Sequence, residues 1–134
     1  MKKAFSSSWN KSKSPRKQRK YRYNAPLHIL RKFLAAHLSS ELRKKYGKRS
    51  AIVRKGDKVR VERGSFCKKV AKVNRVDIKQ ELVYLDGIEL TKKDGTKVAI
   101  GLHPSNLTIL ELVTEDKYRL ESLNRGIKKA EQKP

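Results

Sequence analysis

The segment from residue 51 to residue 112 alternates apolar and polar side chains, a period that is typical of half-buried β-strands. Five pairs of apolar residues two positions apart carry the pattern: Val59 and Val61, Val83 and Leu85, Ile88 and Leu90, Val98 and Ile100, and Leu107 and Ile109. Turn residues separate the pairs, and no helical period lies between them. We therefore predict a small antiparallel barrel over residues 51–112, because closure removes exposed strand edges.

Two Asp-Gly pairs mark turns within this segment. Asp94-Gly95 lies between two alternating runs and predicts a β-hairpin, because this dipeptide favours tight hairpin turns. Asp86-Gly87 fits either a second hairpin or a kink inside a strongly bent sheet. The sequence leaves both of these readings open.

Two short helices are predicted before the barrel, within an N-terminal extension over residues 1–50. Pro26 suits the first position of a helix, and leucines follow it near helical spacing, at Leu27, Leu30, Leu34 and Leu38. The second helix starts where Ser40 can cap it and ends where Gly47 can adopt the left-handed conformation. Both helices are too short to be stable alone, so they should dock on the core or on a partner.

A further helix is predicted for the tail, residues 113–134. Thr114 can cap its N-terminus, and its first turn is acidic, which suits the helix dipole. Leu120, Leu123 and Ile127 form a narrow apolar stripe along it. The predicted fold class is thus mainly β, with a basic, helix-containing extension before the barrel and a helical tail after it.

The charge of the chain is high and one-sided. Of its 134 residues, 35 are Lys or Arg and 13 are Asp or Glu, which gives a formal net charge of +22. Residues 1–50 contribute +15 of that charge and contain a single acid, Glu41. Such an imbalance is typical of a protein with a polyanionic partner.

Composition also narrows the class of protein. Hydrophobic residues make up 37% of the chain, enough for one small core. Neither a transmembrane run nor the apolar stretch of a signal peptide is present, and Cys67 alone makes no internal disulfide or zinc site. The carboxylates stand singly beside turn residues, without the spacing of a catalytic pair. We expect a cytoplasmic protein that is not an enzyme, has no cofactor and has neither a membrane nor a small molecule as partner.

The first part of the extension, residues 2–22, is rich in Ser, Lys and Arg. It has too little apolar area to offset the entropy of ordering it, so it is expected to be disordered on its own. A solubilising or localisation tail has a similar composition. An RNA-binding arm fits better, because Trp9, Tyr21 and Tyr23 lie among the cations and can stack on exposed bases.

Three blocks of sequence resemble one known family. Residues 54–66 (RKGDKVRVERGSF) resemble the opening of a KOW motif, the strand-loop-strand unit of an RNA-binding barrel. Residues 15–20 (PRKQRK) with 25–28 (APLH), and residues 103–107 (HPSNL), resemble flanking blocks of the KOW-domain protein numbered L twenty-four of the large ribosomal subunit, in its archaeal and eukaryotic form (L twenty-six in eukaryotes). A KOW opening occurs in many contexts, but the ordered combination is specific.

The resemblance implies an SH3-like barrel that binds the 5′ region of the large-subunit rRNA. It also implies a role in early subunit assembly and a position near the exit tunnel for nascent peptides. The implied partners are large-subunit rRNA, neighbouring ribosomal proteins and nascent-chain factors at the tunnel exit. The implied location is the cytoplasm, within the ribosome.

The candidate RNA-binding residues are the cations of the extension, of the KOW opening and of the Asp94-Gly95 hairpin, together with one tyrosine and one histidine. They are Arg16, Lys17, Arg19, Lys20, Tyr21, Arg22, His28, Arg31, Arg43, Arg49, Arg54, Lys55, Lys58, Arg63, Lys68, Lys69, Lys72, Lys92 and Lys93. The KOW cations also fit a solvated strand face, and those of the hairpin fit a charged surface equally well. No metal site is expected among the histidines.

The sequence departs from the family pattern after Phe66. The family generally carries two glycines there, and this chain has Lys68 and Ala71 instead. Ala71 tolerates a positive φ poorly, so we expect a different loop path or an ordinary β conformation. Two other classes of function stay open at this point: a KOW module of transcription elongation, and a DNA-architectural protein suggested by net charge alone.

Overall fold

The computed structural model describes residues 5–8 and 11–131, with side chains up to residue 125. The described residues form four α-helices: α1 Pro15–Asn24, α2 Leu27–Phe33, α3 Ser40–Tyr46 and α4 Lys117–Glu131. They also form seven strands: β1 Ala35–Leu38, β2 Ser50–Ile52, β3 Lys58–Val61, β4 Val70–Asp77, β5 Leu82–Thr91, β6 Lys97–Leu102 and β7 Leu107–Glu111. A short 3₁₀ helix, Pro104–Asn106, joins β6 to β7.

The strands make one mixed sheet in the order β2-β1-β7-β3-β4-β5-β6. All neighbours are antiparallel except β1 and β7, which pair in parallel at His37 with Thr108 and at Leu38 with Ile109. The mainly β class is confirmed. Over the described residues, however, the sheet is open, with β2 and β6 as its end strands, so the predicted closure into a barrel is wrong.

The core confirms most of the alternating pattern. Val59, Val61, Leu107 and Ile109 are buried and face a cluster to which β1, β4 and β5 also contribute. Leu90 and Val98 are the exceptions. They pair across β5 and β6 but are 60% and 42% exposed, because this part of the β5–β6 hairpin extends beyond the core.

The two Asp-Gly turns differ in their structure. Asp94-Gly95 forms the tip of the β5–β6 hairpin, as predicted. Asp86-Gly87 lies within β5, and the pairing with β6 shifts register between Tyr84 and Glu89. Gly87 has φ 71°, a backbone conformation that residues other than glycine rarely adopt. The kink is therefore the correct alternative.

The leucines after Pro26 do not all share one helix. Pro26 is the N-cap residue and not the first helical residue, and α2 ends at Phe33. Leu38 lies in β1, whose residues alternate between half-buried and buried. The prediction that all four leucines lie on one helix is therefore wrong. β1 pairs with both β2 and β7, and this pairing outweighs the helical spacing of the leucines.

In both α3 and α4, the residue that caps the N-terminus is not the one that was predicted. Ser39, not Ser40, caps α3 by accepting a hydrogen bond from the Leu42 amide at 3.4 Å, and Gly47 ends it with φ 58° as predicted. At α4, Asp116 takes the place of Thr114 and accepts a hydrogen bond from the Tyr118 amide at 2.8 Å. A carboxylate suits this position because it also complements the helix dipole.

The basic arm is more ordered than its composition predicts. Residues 15–24 form α1, and Tyr21 packs against Phe5 with ring centroids 4.8 Å apart. Tyr21 also meets Phe33 of α2 edge to face at 6.5 Å. These aromatic contacts supply the apolar burial that the cationic residues lack, so the expectation of disorder, made for residues 2–22, is wrong for residues 15–22. Trp9, the third predicted stacking residue of the arm, lies outside the described residues.

Candidate nucleic-acid interface

Helix α1 presents the cations of the arm to solvent. Arg16, Lys17, Arg19 and Lys20 are all exposed, and no acidic residue lies in the first turn of the helix. Tyr23, near the end of α1, is 90% exposed. The helix therefore offers closely spaced cations beside an aromatic ring, a combination that suits an RNA backbone with unstacked bases.

Two predicted contact residues of α1 act inside the protein as well. Arg22 forms an ion pair with the buried Glu81 at 3.0 Å and lies 5.2 Å from the ring centroid of Phe33. Tyr21 belongs to the aromatic cluster described above. Both side chains hold α1 against α2 and the turn between β4 and β5, and this docking fixes the direction in which the free cations point.

The loop between β3 and β4 forms a second cationic surface. Arg63, Lys68 and Lys69 are exposed on the loop, and Lys72 is exposed on β4. The ammonium group of Lys69 lies 5.1 Å from the ring centroid of Phe66, which orders the apolar part of the loop.

Lys58 is placed differently from its neighbours. It is opposite Lys72 on one side and Glu111 on the other, and its ammonium group binds the Glu111 carboxylate at 2.7 Å. This ion pair relieves the repulsion between two lysines in register across β3 and β4. Lys58 is therefore paired with a carboxylate at the surface of the sheet, whereas Lys72 has no ion pair among the described residues.

The structure gives the backbone conformation at both positions where the family generally carries glycine. Ala71 lies in β4 opposite Val59, in the ordinary β conformation that was expected as one alternative. Lys68 takes the left-handed conformation, with φ 68°, and its amide donates a hydrogen bond to the Val61 carbonyl at 2.7 Å. A lysine thus occupies a backbone conformation that suits glycine.

The tip of the β5–β6 hairpin carries Lys92 and Lys93, both exposed. Asp94 orders the turn by accepting hydrogen bonds from the Thr96 hydroxyl at 2.7 Å and the Thr96 amide at 2.9 Å. Both bonds stabilise the ionised carboxylate, the bond from the hydroxyl more than the bond from the amide. They hold the pKa of Asp94 below its usual value. Asp94 therefore stays ionised beside the lysines and reduces the net charge of the tip.

The sheet topology sorts these surfaces into two groups. β4 starts after the β3–β4 loop, and the antiparallel β5 ends at the hairpin tip, so both cationic features lie at the same end of the β4–β5 pair. Helix α1 contacts Glu81, which lies just before β5, so α1 lies at the opposite end. The loop and hairpin cations therefore share one end of the β4–β5 pair, and those of the arm lie at the other end.

A third group of cations surrounds the start of the sheet. Arg31 of α2 lines a groove together with Arg54 and Lys55, which follow β2, and Arg75, which lies in β4. Arg54 forms an ion pair with Asp116, which keeps the pKa of the Asp116 carboxyl below its usual value. Sequence reasoning identified Arg31, Arg54 and Lys55 but missed Arg75, which lies over the Tyr84 ring at 4.3 Å and shows no local pattern.

The remaining predicted residues are dispersed. His28 is exposed on α2 and Arg49 is exposed just before β2. The guanidinium of Arg43 donates a hydrogen bond to the Leu38 carbonyl at 2.7 Å, so this side chain connects α3 to the end of β1. Arg43 therefore has a structural contact in addition to any role at the surface.

One buried ion pair was missed altogether by sequence reasoning. Asp57, fully buried, receives two hydrogen bonds from Arg119 of α4, at 2.7 and 2.6 Å, and Arg119 also donates to the Val113 carbonyl at 2.9 Å. Asp57 additionally accepts from the amides of Arg54 and Val113, so its predicted turn role is only part of its contacts. A single Asp in a turn gives no sequence signal of a partner in a distant helix.

Within the described residues, no group of three or more His, Cys, Asp or Glu side chains could hold a metal ion. In the same part of the chain, no helix has the length and apolar character needed to cross a bilayer. Cys67 is exposed, and its thiol donates to the Glu62 carbonyl at 3.0 Å. What the arrangement offers is therefore positive charge with aromatic surfaces, suited to binding a polyanion.

Comparison with known proteins gives a consistent picture. A family model described as the ribosomal proteins L26 of eukaryotes and L24 of archaea matches residues 12–126. The chain is 46% identical over 114 residues to a protein from Methanosarcina barkeri named "Large ribosomal subunit protein uL24", covering 85% of this chain and 98% of the relative. Relatives with the same name from Methanocella arvoryzae and Methanosphaera stadtmanae are 47% and 44% identical, with 85% and 87% of this chain and 92% and 99% of the relatives covered.

Proposed function

The chain belongs to this eukaryotic and archaeal family of ribosomal proteins, and from that premise we propose that it binds the 5′ region of large-subunit rRNA. As a protein of the large subunit it is a structural component and not an enzyme, and it is located in the cytoplasm within the ribosome. Its partners are rRNA and neighbouring ribosomal proteins. The family resemblance inferred from the KOW opening and its flanking blocks is thereby confirmed.

The observation that carries the proposal is the surface of free cations on a chain that belongs to this family. With a net charge of +22, the chain is strongly attracted to a polyanion, and release of counterions from the RNA favours binding. Because A-form RNA is read mainly through its backbone and shape, dispersed Lys and Arg residues are suitable contacts. Exposed aromatic rings such as Tyr23 add contacts to unpaired bases.

For the open sheet we propose an SH3-like arrangement that contains a KOW unit, with β3, the following loop and β4 as its strand-loop-strand element. Residues 54–66 of the KOW resemblance cover the approach to β3, the strand itself and the start of that loop. The kink of β5 at Gly87 supports this assignment because it bends the sheet sharply, as the strongly curved sheet of such an arrangement requires.

Binding is tested with a transcript of the 5′ region of the large-subunit rRNA. With about 6–10 phosphate contacts, affinity should fall by about 10³–10⁵ between roughly 50 and 200 mM salt. An equally long transcript from another region of the same rRNA and a duplex DNA serve as controls. Equal affinity for all three at physiological salt, or an affinity independent of salt, would contradict the proposal.

We further propose a role in early subunit assembly and a position near the exit tunnel, where nascent-chain factors are the neighbours. The proposal is supported by family membership, and ribosomes depleted of the protein test it. Depletion should lead to accumulation of incomplete large-subunit particles. Cross-linking from Lys69 and Lys93 in intact ribosomes should recover rRNA and proteins at the tunnel exit, and recovery of subunit-interface components alone would argue against the position.

A further inference from the structure

A groove between α2, β2 and α4 has the features of a site for an unpaired nucleotide. Its volume is about 440 Å³, within the range of roughly 300–1,000 Å³ that is common for clefts holding small organic molecules. A second groove of about 430 Å³ shares Arg31, Ile52 and Arg54 with it, so the two grooves adjoin, and we call them together the channel. None of the candidate contact surfaces predicted from the sequence contains this channel as a unit.

The charged side chains that line the channel are all positive. Its rim includes Arg31, Lys32, Lys55 and Arg75, and neither groove has an Asp or Glu among its lining residues. Two carboxylates whose partners line the first groove are already paired, Asp116 with Arg54 and Asp57 with Arg119. Arg31 and Lys32, both exposed on α2, are thus available for a phosphate at the mouth of the first groove.

An aromatic ring lies on the opposite wall. Tyr118, in the first turn of α4, lines the first groove and is 81% exposed. Its backbone is held by the hydrogen bond from its amide to Asp116, so the point on the helix from which the ring projects is fixed. An exposed tyrosine on a rigid element is a stacking platform for a base.

The floor of the groove distinguishes a base from a bare phosphate. Ala35, Ile52 and Leu123 line it, and Leu123 is buried. An inorganic anion gains nothing from apolar contact, whereas a base has an apolar face that fits between this floor and the tyrosine ring. A base inside an A-form helix is stacked on its neighbours and cannot enter, so the occupant must be unpaired.

We propose that this groove holds one unpaired nucleotide of the rRNA, with its base stacked on Tyr118 and its phosphate bound by Arg31 and Lys32. The inference deepens the proposed function and rests on it. The shared channel leads the adjoining backbone past Arg54 towards Lys55 and Arg75. The structure therefore assigns α4 a role in binding as well as in packing.

Removal of the ring tests the stacking step in the full-length protein. Tyr118→Ala should weaken binding to the 5′ rRNA transcript by roughly ten-fold, and Tyr118→Phe should retain wild-type affinity because the ring remains. Since no charge is removed, the slope of log affinity against log salt should stay unchanged. Asn124→Ala, an exposed change on the same helix outside the groove, is the control for folding and for helix effects.

The phosphate step is tested by a matched pair of charge changes. Arg31→Gln and Arg125→Gln each remove one exposed cation, but only Arg31 lines the groove. Arg31→Gln should reduce the slope of log affinity against log salt by about one. In the double variant, adding Tyr118→Ala to Arg31→Gln should cause no further loss of affinity. Arg125→Gln should leave the effect of Tyr118→Ala intact.

The outcomes separate this inference from the function on which it rests. If the wild-type chain does not bind the transcript, the proposed function fails. If the wild type binds and Tyr118→Ala binds equally well with an unchanged melting temperature, only the groove assignment is overturned. It is also overturned if Tyr118→Ala binds rRNA normally but loses a neighbouring protein in the assembled subunit, because the groove would then hold a protein segment.

Discussion

Lys68 occupies an unfavourable backbone conformation at the surface of the β3–β4 loop. Its φ of 68° lies in the left-handed region, which costs a residue with a Cβ atom roughly 1–2 kcal/mol. The family resemblance associates a glycine with this position. The chain therefore accepts a local strain at a point where the side chain adds an exposed charge to the loop.

Lys68→Gly should change stability and rRNA binding in opposite directions. We expect the free energy of unfolding to rise by about 0.5–1 kcal/mol, because the strain is removed and the added flexibility of glycine offsets part of the gain. Binding to rRNA should weaken, with a salt slope lower by about one if Lys68 contacts a phosphate. Denaturant unfolding and salt-dependent binding measure the two effects.

Lys69→Gly is the matched control at the next position. It removes the same charge, but Lys69 is not among the described residues with positive φ, so glycine brings no relief of strain. This variant should be less stable than the wild type, through chain entropy and through loss of the contact with Phe66. Equal stability changes in the two variants would show that the left-handed conformation is not strained.

Asp116 predicts a dependence of stability on pH. Arg54 lowers the pKa of its carboxyl in the folded protein from the ordinary value of 3.8. A lowered folded pKa gives a contribution that is complete above the unfolded pKa and is lost as pH falls through the folded pKa. The melting temperatures of the wild type and Asp116→Asn should therefore differ at about pH 5 and converge towards about pH 2. A difference that persists at the acidic end would mean that the ion pair is not its source.

At the scale of elements, the buried pair of Asp57 and Arg119 joins α4 to the loop before β3. The carboxylate accepts both guanidinium bonds and two backbone amides, so its charge is fully solvated by protein groups. Arg119 also donates to the carbonyls of Ile52 and Val113. Helix α4 is in this way held by polar contacts that involve both ends of the segment preceding β3.

Breaking this pair from either side should be costly. Asp57→Ala and Arg119→Met should each lower the free energy of unfolding by about 3–5 kcal/mol, because each leaves a buried charge without its partner. The double variant should be destabilised by less than the sum of the two. Arg125→Met, exposed on the same helix, should stay within about 0.5 kcal/mol. Strict additivity in this cycle, measured by denaturant unfolding, would contradict a direct coupling.

The elements that the sequence predicted correctly are those with local determinants. The hairpin at Asp94-Gly95 and the end of α3 at Gly47 follow from turn and capping chemistry within a few residues. β1 was missed because its four residues, Ala35–Leu38, become a strand only through pairing with β2 and with the distant β7. Tertiary pairing of this kind overrides a local helical period.

The same distinction applies to the candidate site. Runs of cations identify α1 and the β3–β4 loop, since these charges are contiguous in sequence. The groove between α2, β2 and α4 could not be found in this way, because Lys32 and Tyr118 line the same groove only after folding. The buried partner of Asp57 likewise lies 62 residues away.

At the scale of the whole molecule, free positive charge lies at both ends of the β4–β5 pair. The arm helix is docked at one end through Arg22 and Glu81, and the β3–β4 loop and hairpin tip lie at the other. A single RNA helix contacted at one end would leave the other surface unused. We therefore expect the protein to bridge two segments of folded rRNA.

Paired variants test this bridging. Arg16→Gln with Arg19→Gln removes two cations from the arm, and Arg63→Gln with Lys69→Gln removes two from the loop. Each pair should reduce the salt slope by about two, and the combined variant should lose the sum of the two binding free energies, because the two surfaces lie at opposite ends of the β4–β5 pair and should contact different rRNA segments. Affinity for the 5′ rRNA transcript over a salt series gives both quantities.

A third pair with the same change in net charge shows whether position matters. Lys58 and Arg60 are already paired, with Glu111 at 2.7 Å and Glu62 at 2.8 Å, so Lys58→Gln with Arg60→Gln removes cations that each have a carboxylate partner beside them. The salt slope should then change much less than in the arm or loop variants. If all three pairs lowered the slope equally, the RNA would respond only to net charge, and a bridge between two defined surfaces would be wrong. If only one of the two surfaces mattered, the chain would bind a single rRNA segment through that end of the sheet.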